Sequence, residues 1–189
     1  MKTGALALTL AASLATAACG SSPPTRYYVL DAIAPQGARP HPIARPVRVA
    51  AVHLPDELDR LEIVSRLGPN RLQLRGQDRW AAPLDDMSRR VLAQDLVERL
   101  PPGAVILPRS PAPRDVRQIV VDVQRFAAAS DGSARLQGAW SLQDPNGALA
   151  RHAFDLQAQT SDASAKGQAA AMSRLLATLA DHIAAAQLR

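Results

Sequence analysis

EIVSRLGPNRLQLRGQDRWAAPLDDMSRRVLAQDLVERL, residues Glu62–Leu100, is the stretch whose reading decides the fold. It opens with the apolar-rich run Ile63–Leu67 and passes through Gly68-Pro69-Asn70. It then resumes with Leu72 and Leu74 alternating against Arg71, Gln73 and Arg75. Glycine reaches positive φ, and proline fixes φ while offering no N–H, so the triplet is turn chemistry. Two strand-like runs about such a turn form a hairpin. The second run ends at Asp78-Arg79-Trp80, and Pro83-Leu84-Asp85-Asp86 follows. That is a helix start, with an Asp placed to cap and further carboxylate near the positive end of the helix dipole. A hairpin therefore feeds a helix over Asp85–Leu100, with Trp80 at the joint.

In that helix Leu84, Val91, Leu92, Leu96 and Leu100 fall on one apolar arc at about 100° per residue. Asp95 lies inside the arc and is expected to pair with an arginine or accept a backbone hydrogen bond rather than to act in catalysis. Pro101-Pro102-Gly103 ends the helix, Ala104–Leu107 reads as a short strand, and Pro108–Pro113 is a surface loop. Three long strand-like runs come next. Gln118–Ala128 alternates through Ile119, Val121 and Val123, and Asp131-Gly132 makes a turn. Ala134–Gln143 sets Leu136, Gly138, Trp140 and Leu142 on one face. After Pro145-Asn146-Gly147, Leu149–Gln159 completes an antiparallel meander. The chain closes with a helix from about Ala163 to Gln187, in which Asp162 is placed to cap and Met172, Leu175, Leu176, Leu179 and Ile183 form an amphipathic stripe.

Upstream of the hairpin, Arg26–Leu30 is strand-like and Gly37–Pro46 is a proline-bearing loop. Val47–His53 reads as a central strand, because Ala50 and Val52 on its second face are apolar too. Asp56–Arg60 fits one short helical turn.

The N-terminus is an address. Lys2 supplies a positive start, and Ala5–Ala15 is apolar or small but for Thr9 and Ser13, too short to span a bilayer as a helix. Thr16-Ala17-Ala18-Cys19-Gly20 resembles a bacterial lipobox, departing from it at Thr16, where leucine is usual. Cys19 is the one cysteine of the chain, so no intramolecular disulfide can form. Acyl chains on Cys19 hold a protein to a bilayer without a spanning helix. Gly20 in the next position resembles outer-membrane sorting. The expected organisation is a signal peptide at 1–18, a lipidated tether at 19–25 and one domain over 26–189, facing the periplasm.

The chain's 189 residues suit one domain. Of its 22 basic residues only Lys2 and Lys166 are lysines, and the arginines are scattered among 17 acids. A nucleic-acid surface needs clustered charge and stacking aromatics, whereas the aromatic content is 3%. The four histidines, His41, His53, His152 and His182, stand far apart, with no pair at metal-ligand spacing. No phosphate loop, nucleophile elbow or helical His-Glu-x-x-His occurs. A non-enzyme without metal or cofactor is the expectation.

Arg-Tyr-Tyr-Val-Leu-Asp at 26–31, Val52 to Arg66, and Asn70 to Asp86 with its Arg-Trp-Ala-x-Pro-Leu-Asp-Asp follow the lipobox. Together they resemble the PqiC-type family of ABC-type transport auxiliary lipoproteins, membrane integrity-associated transporter subunits. Leu61 departs from the pattern, where relatives often carry proline. The resemblance covers essentially the whole mature chain and is most specific at Trp80–Asp86. It implies an α/β domain with two main helices packed on a mixed sheet, similar to the anticodon-binding-like arrangement of the TolB N-terminal domain. It also implies partnership with a periplasm-spanning, lipid-carrying MCE-domain protein, a place at the outer membrane and a homo-oligomeric ring. It brings no catalytic residues. Trp80, Pro83 and Leu84 match the motif, and Trp80 is expected to fill the gap between hairpin and helix. If the domain is a dock for the MCE protein, exposed surface carries its function. Arg71, Arg109 and Arg114, on the Gly68-Pro69-Asn70 turn and about the Pro108–Pro113 loop, are the candidate partner-binding residues. The rival readings are a structural envelope lipoprotein without a transport role and a periplasmic hydrolase with an unrecognised site.

Overall fold

Seven strands form one mixed sheet, and two helices pack on one of its faces. The computed structural model describes residues 23–35, 45–144 and 147–186, with the backbone alone at 148 and 149. The strands are β1 (Arg26–Tyr28), β2 (Val47–His53), β3 (Glu62–Gly68), β4 (Arg71–Trp80), β5 (Arg117–Ala129), β6 (Ser133–Asp144) and β7 (Gly147–Gln159). The helices are α1 (Leu84–Arg99) and α2 (Ala165–Ala185), and a single 3-10 turn occupies Asp56–Leu58. The signal peptide, Cys19, the loop prolines at 40 and 42 and the Pro145-Asn146 turn lie outside the described residues.

The sheet order is β1-β4-β3-β5-β6-β7, with β2 beside β5. The β3–β4, β5–β6 and β6–β7 ladders are antiparallel and hold most of the paired residues, while β1–β4, β2–β5 and β3–β5 are parallel. The expected hairpin and meander are both present. Gly132, at φ 82, occupies the turn that only a residue without Cβ enters freely. Its N–H donates to the Ala129 carbonyl, and Asp131 accepts from Ser133.

Period-two alternation sends Ile119, Val121, Phe126, Leu136, Trp140, Leu142, Phe154 and Leu156 to the helix-covered face. They meet Val91, Leu92 and Leu96 of α1 and Met172, Leu175, Leu176, Leu179 and Ile183 of α2 in one core. The opposite face is laced by exposed pairs, Arg135 with Asp155 and Arg151 with Asp122. At Gly138 the bulge in β5 brings backbone so close that a Cβ would sit 2.2 Å from the Asp122 carbonyl oxygen.

Four local expectations are corrected. β2 is not central: it pairs with β5 on one side, and its other edge meets only a bridge from Val105 to Val47. That bridge is all that forms of the expected strand at Ala104–Leu107. Both β2 and β3 line the same edge of β5, β2 beside 117–122 and β3 beside 128–129. Helix α1 is not capped by an aspartate side chain, since Pro83 is its N-cap and the Met87 N–H returns to the Pro83 carbonyl. Asp85 and Asp86 sit inside the first turn, where they favour the dipole instead. Helix α2 begins at Ala165 rather than Ala163, and Ser164 is its cap, accepting from the Gly167 N–H at 3.0 Å. Asp162 stands two residues before the cap and accepts from the Ser164 N–H at 2.8 Å, fixing the turn.

Candidate functional site

The Trp80–Asp86 segment divides between core and surface. Trp80 is 2% exposed, and it fills the joint between hairpin and helix as expected. Its N–H donates to the Leu61 carbonyl at 2.7 Å, and the next N–H, from Ala81, donates to the Tyr28 carbonyl. Leu84 is buried and Pro83 is exposed. The helical period then turns Leu84, Met87 and Val91 inward and leaves Asp86, Arg89 and Arg90 on the outer flank.

That flank is one wall of a groove of about 390 Å³. The other wall is Leu107, Pro108 and Arg109, and Ala82 and Met87 add apolar surface between them. Two contacts hold the loop wall in place: the Ser110 N–H donates to the Leu107 carbonyl, and the Arg48 guanidinium donates to the Ser110 carbonyl. Arg109 has φ 67, the one non-glycine residue at positive φ among the described residues. A left-handed backbone costs an L-residue about 1 kcal/mol, and such strain concentrates where a side chain has to be aimed. Arg89 pairs with Asp86 at 2.7 Å. Arg90 and Arg109 pair with no carboxylate among the described residues. Guanidinium forks beside apolar surface suit a partner segment that carries both carboxylates and hydrophobic side chains.

The three arginines singled out in the sequence do not share a surface. Arg109 stands on the groove, and Arg114 is exposed in the same loop, ahead of β5. Arg71 pairs with Gly68 at the tip of the β3–β4 hairpin, beside the Ala128–Ala129 end of β5. The length of β5, about 40 Å at 3.3 Å per residue, separates the two ends of the sheet.

A second cluster binds the N-terminal segment across both helices. Asp95 is fully buried, and its Oδ1 accepts the Ile33 N–H at 2.7 Å. Arg99 stands 3.7 Å from Asp95, donates to the Ile33 carbonyl and pairs with Asp181 at 2.6 Å. Ser173 accepts the Asp31 N–H at 3.1 Å. Asp95 thus has both the arginine and the backbone donor expected for it. Burial pushes its carboxyl up to about 6, against the opposing pull of the Ile33 N–H and Arg99. The partner segment could not be read from sequence, because what it contributes is main chain. His152 stacks on Trp140, with ring centroids 4.3 Å apart.

The family model for the ABC-type transport auxiliary lipoprotein component matches residues 28–184, nearly the whole of this fold. The chain belongs to that family. Two solved structures share the auxiliary-lipoprotein fold. One, an uncharacterised protein, is 23% identical with a TM-score of 0.67, covering 88% of this chain and 98% of its own. The other, from Xanthomonas campestris and assigned to DUF330, is 20% identical with a TM-score of 0.68, covering 86% and 95%. A comparison with curated proteins finds no match. No helix among the described residues of this auxiliary lipoprotein is long and apolar enough to cross a membrane.

Proposed function

We propose that this auxiliary lipoprotein is the outer-membrane end of an MCE-type, Pqi-like lipid-transport system. It is a non-enzymatic dock, anchored through Cys19, that holds a periplasm-spanning MCE-domain protein at the outer membrane. The observation that carries the reading is the groove. The family's most specific segment contributes Ala82 and Asp86 to it, and Arg90 and Arg109, which pair with no carboxylate among the described residues, stand on its two sides. A purely structural envelope lipoprotein has no need of such a surface. Self-association is part of the proposal, since the outer edge of β7 has no strand beside it among the described residues and an open edge is where a further copy can add.

The test is co-purification of the full-length lipoprotein with an MCE-domain protein encoded beside it. Wild type is compared with Arg90→Glu and Arg109→Glu. Each reversal should weaken capture about tenfold, equivalent to ~1.4 kcal/mol, with a larger effect at low salt. Wild type that captures no MCE protein from native membranes, or reversals that capture as well as wild type, would overturn the reading.

A further inference from the structure

The hairpin tip carries an apolar surface that neither the core nor the groove uses. Leu72 and Leu74 are 38% and 49% exposed on the sheet face that no helix covers, and Leu67 is 36% exposed near the tip. Arg66 and Arg71 flank them, and neither pairs with a carboxylate among the described residues. Two acids at this end of the sheet are already engaged, Asp131 by Ser133 and Asp162 by Ser164.

The direction of the chain says what meets this surface. β1 runs parallel to β4, with Arg26 opposite Asp78 and Tyr28 opposite Trp80. The N-terminal end of β1 therefore faces the hairpin-tip side of the sheet, not the groove side. Cys19 and Arg26 are seven positions apart, and so are Arg71 and Asp78. Extended, the first interval reaches at most about 25 Å, and the second spans about 23 Å of strand. An acyl-anchored Cys19 can thus lie level with the tip. Tyr27, 64% exposed, stands on the strand that the tether enters.

We propose that the β3–β4 hairpin tip is a membrane-contact element. Leu72 and Leu74 rest in the interfacial region of the bilayer, while Arg66 and Arg71 bind phosphates of anionic lipid headgroups. The inference rests on the lipid-anchor reading and deepens it. It turns the tip toward lipid and the groove, at the other end of β4, toward the periplasm, and it assigns Arg71 to lipid rather than to the MCE partner. Arginine is suited to the task because its planar fork pairs with phosphate oxygens, and leucines at this depth add burial on top of the acyl anchor.

The test uses the full-length acylated protein in vesicles of phosphatidylethanolamine and phosphatidylglycerol. Acylation consumes the Cys19 thiol, so Leu72→Cys, Leu74→Cys or Val97→Cys introduces the single reactive thiol for an environment-sensitive fluorophore. Val97 is an exposed control on α1. All three proteins should float with the vesicles. The label at 72 or 74 should shift to the blue and be quenched by brominated lipid, and the label at 97 should do neither. Adding Arg66→Glu and Arg71→Glu should weaken the quenching in these vesicles, and inorganic phosphate should not reverse it. Floated protein with labels at 72 and 74 as wet as at 97 overturns the hairpin proposal and leaves the anchor intact. Protein that does not float overturns both. A blue shift that needs an MCE protein and ignores brominated lipid assigns the tip to that protein and overturns the proposal as well.

Discussion

The Ile33 backbone N–H donates to Oδ1 of Asp95 at 2.7 Å, fastening the N-terminal segment to a carboxylate that has no exposed surface. Oδ2 of the same carboxylate has no hydrogen-bond partner among the described residues. The fold therefore holds Asp95 at a cost when it is charged, and its carboxyl titrates at about 6 instead of at its ordinary 3.8. The folded state binds this proton more tightly than the unfolded chain does. Stability from this group is thus greatest below about pH 4 and falls as pH rises through about 6, by on the order of 2–3 kcal/mol.

Asp95→Asn keeps an acceptor for Ile33 and removes the charge. It should flatten the pH dependence of thermal stability between about pH 4 and about pH 6 and leave the protein at least as stable at neutral pH. Asp95→Ala strands the Ile33 N–H and should be about 1–3 kcal/mol less stable than the Asn variant at all pH values. Melting curves across that range decide it. An Asn variant with the wild-type slope would show that Asp95 is not the titrating group.

Trp80→Ala should destabilise the protein by about 3–5 kcal/mol, because the cavity opens where β4, Tyr28 and α1 meet. Urea unfolding measures it. A variant that unfolds like wild type would place the indole outside the core.

Gly138→Ala and Gly76→Ala form a matched pair. At Gly138 the added methyl meets the Asp122 carbonyl oxygen at 2.2 Å and the Val123 Cα at 3.0 Å, both backbone atoms, whereas at Gly76 nothing lies within 4 Å. The first should cost about 1–3 kcal/mol. The second should be neutral or stabilise by about 0.4–1 kcal/mol through the unfolded chain. Equal unfolding midpoints for the two variants would contradict the close approach.

What was legible in the sequence and what was not follows from where each signal resides. The β5–β7 meander was legible because alternation and Asp131-Gly132 are local, and both helices were legible from their stripes. The alternation of Leu72 and Leu74 marks a strand but not the face it buries. Those leucines point away from the helices, whose cover on this hairpin ends at Ser65, where Gln168 of α2 accepts the hydroxyl at 2.8 Å. The edge position of β2 depends on a parallel partner some seventy residues later, which periodicity cannot supply. The aspartates near both helix starts have the right chemistry for caps, but Pro83 and Ser164 hold the capping positions. Of the candidate arginines, Arg109 and Arg114 are exposed, as their place about a proline-rich loop predicts. That Arg71 lies at the far end of the sheet from them is a fact of topology alone.

Arg109 lets fold and function be separated at one residue. Its φ of 67 is a conformation that glycine adopts without strain. Arg109→Gly relieves the strained backbone while adding freedom to the unfolded chain, so stability should stay within about 0.5 kcal/mol of wild type. Arg109→Val puts a β-branched side chain into the left-handed region and should cost about 1–3 kcal/mol. Both remove the guanidinium from the groove wall, so both should lose capture of the MCE partner to the same extent. Paired melting and co-purification of the two variants read this out. If the glycine variant keeps full capture, the groove does not bind through Arg109, and the aim given to that side chain by its backbone has another purpose.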